Sequence, residues 1–231
     1  MLNSFLRGVA LSLTIQVTPL FAQSSVATCT TLHAINIPEH ISQIVLTQPI
    51  NTVQAHIYLC QKTQGTWHML PHGSFPAVIG KGGLAAVGEK KEGDLKTPEG
   101  FYAIGEAFGM EPLALKMDYK YITPGDKFID DVNHSHYNQW VFGATDAQSY
   151  ESMLIPLYKY GAIIRYNMHP TVPGLGSGIF LHIWRSSHQG TAGCVAMAEN
   201  NLLLMLQWLD KNQHPYIKIL SPAAGMLAPQ P

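Results

Sequence analysis

Between residues 61 and 109 glycine and proline interrupt this chain so often that helix has almost no room to form. The pieces "QKTQGTW", "PHGSFP" and "GKGGLAAVGEKKEGDLKTPEG" carry most of them and alternate with short apolar runs such as "AVIG" and "FYAIGEAFG". Proline fixes φ and removes a backbone donor, and glycine weakens any regular element it interrupts, so what remains is a texture of short strands joined by turns. The flanks agree. "SQIVLTQ" (Ser42 to Gln48) and "TVQAHIYLC" (Thr52 to Cys60) are rich in Val, Ile, Thr and Tyr, the second in partial alternation, and read as a hairpin or meander. "AIIRYN" and "GIFLHIW" read as buried strands separated by the connection "MHPTVPGLGS", and "YIKIL" as a final strand. Helical spacing occurs once, from Glu199 to Asn212, where Leu202, Leu203, Leu206 and Leu209 recur with Trp208. Tyr119 to Trp140, rich in Asp, Asn, His and aromatics without clear period, reads as a long ordered loop. With no internal repeat and no compositional break, the expectation is one β-rich α+β domain with a late helix.

Met1 to Ala22 places one basic residue, Arg7, before an apolar stretch from Gly8 to Phe21, the layout of a secretory signal peptide. The stretch is shorter than the roughly 18 to 20 residues that span a bilayer, and the small Ala22 suits cleavage. Residues 23–231 are therefore expected to form a single domain, periplasmic or secreted. Of 14 Lys+Arg only Arg7 lies in the leader, leaving 13 against 15 Asp+Glu. Such a balance gives no basic excess for binding nucleic acid or an anionic membrane surface.

Three cysteines in an exported chain leave at least one unpaired within the molecule. Cys29 and Cys60 both lie in the strand-rich N-terminal quarter and are expected to pair, which leaves Cys194 free in a glycine-containing loop before the helix. A lipid anchor on Cys29 is the alternative, disfavoured by the bulk of Thr28 and by the distance back to the apolar stretch.

The segment Gly178 to Met197, "GIFLHIWRSSHQGTAGCVAM", holds the chemistry. A histidine late on a buried strand, His182, precedes by a dozen residues a cysteine in a tight loop, Cys194. Imidazole can take the proton of a thiol of ordinary pKa about 8.5, giving a ready thiolate, and later return a proton to a leaving amine. Backbone N–H groups at Gly193, Cys194 and Val195 are candidate oxyanion donors, an element typically contributing about 10²–10³ in rate. Against this stand two plainer readings. Free cysteine is among the most buried residue types, and a strand histidine is commonly a core residue. A metal site from His182, His188 and Cys194, or from His134 and His136, fits no common zinc spacing.

Several blocks resemble the L,D-transpeptidase catalytic domain, the YkuD-like family: His182 before Thr191-Ala192-Gly193-Cys194, the run Lys90 to Gly109 with its "EGDLKTPEG", and "DDVNHSHYNQW", "RYN" and "GSGIFLHIW". Together they cover roughly Val78 to Leu220 and point to the secreted or periplasmic branch carrying a Thr-Ala-Gly-Cys motif. The resemblance implies a β-sandwich or barrel with a helix after the cysteine loop. It also implies that Cys194 is the nucleophile and His182 the base, acting on peptidoglycan stem peptides without metal or organic cofactor. A stem is cut after its L-centre, and the acyl group passes to an amine, giving cross-linking or D-amino-acid exchange, or to water, giving carboxypeptidase activity. A monomer is expected.

Many members of that family carry arginine two residues after the nucleophile, where this chain has Ala196. Arg185 and Arg165 are the nearest cationic candidates for holding a substrate carboxylate. Thr191, Tyr137, Asn138 and His188 are expected to touch substrate, His169 to be a surface residue, and Asp94, Thr97, Pro98 and Gly100 to shape a turn. Two rivals remain. A papain-like peptidase places cysteine before histidine, the reverse of the order here. A non-catalytic wall-binding module would have no need of both Cys194 and His182.

Overall fold

The computed structural model describes residues 28–221, so the expected leader lies outside the described residues. Numbered in chain order, its strands are β1 Gln43–Pro49, β2 Gln54–Thr63, β3 Thr66–Val78, β4 Leu84–Ala85, β5 Thr97–Pro98, β6 Gly100–Gly109 and β7 Tyr119–Tyr121. They continue as β8 Asp126–Ile129, β9 Trp140–Phe142, β10 Tyr150–Ser152, β11 Tyr160–Ile164, β12 Phe180–Ile183, β13 Val195–Met197 and β14 Pro215–Ile219. The α-helix, α1, is Glu199–Trp208, between β13 and β14.

Strand pairing runs β11-β12-β13-β3-β2-β1-β14-β6, with β7 added beside β6, and β6 also pairs with β11. That last pairing closes the sheet into a barrel and removes the open edges that invite aggregation. The hairpin between β2 and β3 turns at Gln64 and Gly65, whose φ values of 50° and 80° give the left-handed pair that matches strand twist. Alternation then sorts the side chains. Leu59, Ala77, Leu181, Val195 and Ile217 enter the barrel interior, where Leu202, Met205, Leu206 and Leu209 from α1 join the same core. β1 lacks alternation because both its faces are covered: Val45 points inward, while Ile44 and Leu46 pack in a second cluster with the 3-10 turn Cys29–Ala34.

Cys29 and Cys60, 31 residues apart, are joined by a disulfide across this second cluster. Closing a loop of that length contributes about 3–4 kcal/mol in the chain-entropy account. Cys194 is the free cysteine.

The helix ends before the expected Asn212. Leu209 turns to extended backbone, and the chain re-enters a 3-10 turn, Lys211–Gln213, whose Asn212 N–H donates to Asp210 at 3.0 Å. Gln43 ties this exit to β1, donating to the Trp208 carbonyl at 2.9 Å and accepting the Asp210 N–H at 2.8 Å.

Tyr119 to Trp140 is not one loop. It contains β7, β8 and the start of β9, and β8 lies between β10 and β9 in a separate three-stranded sheet. These strands are three or four residues long, too short for period-two patterning to stand out, and a side-chain anchor holds them instead. Asp126 accepts from the Thr123 N–H and the Trp140 Nε1–H, each at 2.7 Å. Phe128 and Met153 from this layer pack with Phe108, Phe180 and Tyr158 in a third cluster on the outer side of the barrel, and Cys194 belongs to the same cluster.

Candidate active site

β12 and β13 are parallel neighbours, so the chain between them must cross over, a task usually given to a helix. Here the connection is residues 184–194, with no helix in it. It is strapped to the strand-end segment after β3: the Thr191 N–H donates to the Ile79 carbonyl and the Lys81 N–H to the Thr191 carbonyl, both at 2.9 Å. The connection ends in Thr191-Ala192-Gly193-Cys194. Gly193 has φ +152°, and a Cβ there would lie 3.0 Å from the Lys96 carbonyl oxygen, so the turn into Cys194 needs glycine.

Cys194 is 6 % exposed. Its Sγ–H donates to the Gly178 carbonyl and its sulfur accepts the Phe180 N–H, both at 3.3 Å. Along β12, Leu181 faces the barrel interior, so Phe180 and His182 share the outer face on which Cys194 sits. The His182 Nδ1–H donates to the Ile183 carbonyl at 2.7 Å, which leaves the lone pair on Nε2, an atom without a protein partner among the described residues. The Tyr158 ring packs edge-on against the imidazole, centroids 5.3 Å apart. Both side chains open on one cavity of about 660 Å³.

Burial sets the charge state of the pair. It pulls the His182 imidazole down to about 4, with Arg185 adding to the fall and the Ile183 bond opposing it. It pushes the Cys194 thiol up to about 12, helped by the Glu151 carboxylate and opposed by the Phe180 N–H and Lys90. At neutral pH the resting site therefore holds a thiol and a neutral imidazole, and no hydrogen bond joins them. The ready thiolate expected from sequence is not the resting form, because burial disfavours the charged state of each group.

The L,D-transpeptidase catalytic domain model, YkuD, matches residues 50–217. The chain belongs to that family. The match starts earlier than the blocks read from sequence, taking in β2 and β3. Among solved structures, the helical cell shape determining protein Pgp2 from Campylobacter jejuni is similar at 18% identity and a TM-score of 0.42, with 80% of this chain and 50% of that one covered. The chain thus spans half the length of that protein. No curated protein matches it.

Within this L,D-transpeptidase domain the other expected residues divide. Arg185, His188, Thr191, Gly193 and Cys194 line the cavity with His182. Arg185 is exposed and makes no ion pair among the described residues, so its guanidinium is free to meet an anion. His188 Nδ1 lies 3.2 Å from Gln54 Nε2. Of the three backbone donors, the Gly193 N–H is already committed to Thr191 Oγ1 at 3.1 Å, and Val195 opens β13 fully buried, away from the cavity lining.

Tyr137 and Asn138 do not line the cavity, which corrects their expected contact with substrate. Each is 2 % exposed and satisfied within the protein. The Tyr137 hydroxyl donates to Glu92 at 2.5 Å. Asn138 donates to the Tyr166 and Asn167 carbonyls at 3.1 and 2.6 Å and accepts the Gly178 N–H at 3.0 Å. Asn138 thereby holds the residue whose carbonyl accepts the thiol's hydrogen bond. Arg165 and His169 are exposed away from the cavity, and His134 and His136 sit on a surface loop, His134 Nε2 being 3.0 Å from Asp146. Asp94 shapes its turn by accepting the Lys91 and Lys96 N–H groups at 2.8 and 2.9 Å and the Lys90 ammonium at 2.6 Å. Sequence reasoning missed Gly178 and Phe180 as the sulfur's partners, Tyr158 against the imidazole, and Thr97, whose hydroxyl donates to the Gly193 carbonyl at 2.7 Å. The one available signal for Thr97 was its place in the "KTPEG" block.

Proposed function

We propose that this domain is a cysteine acyltransferase acting on peptidoglycan tetrapeptide stems outside the cytoplasm. The observation that carries the reading is the meeting of a buried thiol and an imidazole with an unoccupied Nε2 lone pair at one cavity. A stem enters with its scissile carbonyl over Cys194. The thiol leaves the Gly178 carbonyl, Sγ attacks the carbonyl carbon, and the thiol proton passes to His182 Nε2. Negative charge gathers on the substrate oxygen and takes a backbone N–H. The intermediate collapses with loss of the terminal D-amino acid, whose nitrogen receives the proton from the imidazolium, and a thioester remains. An acceptor amine or water then attacks the thioester carbon, giving its proton to His182, and the thiol is restored. Incubating the purified protein with defined muropeptides and weighing the products tests this. Tetrapeptide stems should lose the terminal residue or gain an acceptor, and stems left intact under all acceptor conditions would overturn the proposal.

Arg185 supports the same reading as the exposed, unpaired guanidinium on the cavity wall, taking the place of the arginine absent at 196. Arg185→Ala is expected to lower kcat/KM by about 10- to 100-fold, the loss of a charge-assisted pair of about 1.5–3 kcal/mol, chiefly through KM. Steady-state kinetics on a tetrapeptide muropeptide measure it, and parental constants would remove Arg185 from the site.

A further inference from the structure

Thr97 is fully buried, yet its side chain is polar, and its hydroxyl bonds to the nucleophile loop and to the Gly80 segment beside it. Its Oγ1 accepts the Gly80 N–H at 2.8 Å and donates to the Gly193 carbonyl at 2.7 Å, with the Cys194 carbonyl 3.3 Å away. Thr191 completes the clamp from the loop itself, donating to the Cys194 carbonyl at 2.6 Å. A trans peptide is planar, and its C=O and N–H point in opposite directions. The plane that joins Gly193 to Cys194 therefore cannot have its carbonyl on Thr97 without turning the Cys194 N–H to the other side. Thr97 is absent from the cavity wall, whereas Thr191, Ala192, Gly193 and Cys194 all line it, so the other side is the cavity. The Cys194 N–H has no protein partner among the described residues.

We infer that Thr97 is a positioning residue: by holding the Gly193 carbonyl on the core side of the loop, it aims the Cys194 N–H into the cavity as the principal donor to the developing oxyanion. The inference rests on the acyl-enzyme reading above and narrows it. Three adjacent amides look equivalent in sequence, but one is spent on Thr191 and another is buried in β13, which leaves the nucleophile's own amide to carry the role. Such a donor works because it is aimed before the reaction, and a hydroxyl 96 residues before Gly193 supplies the aim from outside the loop.

Two reactions of the same sulfur separate aim from simple integrity. Acylation by the carbapenem meropenem develops an oxyanion, and alkylation by iodoacetamide does not. In Thr97→Val the acylation rate constant should fall about 10²–10³-fold while alkylation stays near the wild-type rate, and Thr97→Ser should restore acylation. Parallel falls in both reactions, or unchanged acylation in Thr97→Val, would overturn the inference while leaving the acyl-enzyme reading intact. A wild-type protein that meropenem does not acylate would remove both. Amide hydrogen exchange on the wild type needs no variant and decides the point even where Thr97→Val does not fold. The Cys194 amide should exchange readily in the free protein and slow after acylation, and a Cys194 amide already protected in the free protein would sink the idea.

Discussion

Cys194→Ser is expected to abolish stem turnover and the mass gain from a carbapenem, with the fold retained. The serine hydroxyl can still donate to the Gly178 carbonyl and accept the Phe180 N–H, so the variant changes the nucleophile and little else. Removing a covalent nucleophile costs about 10⁴–10⁶ in kcat when the rest of the site survives. Cys194→Ala is the harsher partner. It leaves the buried Phe180 N–H without its acceptor, at about 1–3 kcal/mol of stability, and its thermal midpoint should fall accordingly. Mass spectrometry of muropeptides and of the intact protein reads the first effect, calorimetry the second. Turnover surviving in both Cys194→Ser and Cys194→Ala would end the cysteine mechanism, whereas a wild-type protein that binds muropeptides without turning them over would favour the wall-binding module.

His182→Ala should lower kcat/KM by about 10²–10⁴-fold and change the shape of its pH dependence as well as its height. On the proposed mechanism His182 acts while neutral, and burial holds its imidazole down to about 4. Activity is therefore expected to persist as pH falls through the ordinary histidine range, with an acid limb near pH 4. In the variant the sulfur can act only after losing its proton to solvent, and burial pushes that thiol up to about 12. Its residual rate should climb with pH through the alkaline range with no neutral plateau. A pH series of kcat/KM on both proteins checks this, and a variant with the wild-type acid limb would remove His182 as the base.

What sequence made legible follows from which signals are local. The strands β1, β2, β11, β12 and β14 were readable because β-branched and apolar residues run together, and α1 because its leucines recur at helical spacing. The closure of β6 onto β11 was not, since pairing between strands some fifty residues apart leaves no mark in either. β8, β9 and β10 escaped because each is too short to carry a period. At the site, His182 and Cys194 stand out by residue type and spacing. The contacts that tune them come from backbone and from distant turns: Gly178 and Phe180 at the sulfur, Ile183 at the imidazole, Thr97 at the loop. Asn138 and Tyr137 looked like ligand-binding residues because polar side chains in a long loop so often are, yet each is consumed by tying that loop to its neighbours.

The register of β12 and β13 sets Ala196 beside His182, on the same outer face, and Ala196 is fully buried. The position that carries arginine in many relatives is therefore already filled by packing. Installing a guanidinium there by one substitution would drive a charge into the wall that keeps the imidazole dry, before any carboxylate arrived to meet it. An arginine at 196 would first need room opened around that residue. The buried alanine thus sets a steric limit on where this pocket can carry positive charge, and the crossover connection, where Arg185 is exposed, is the side left open.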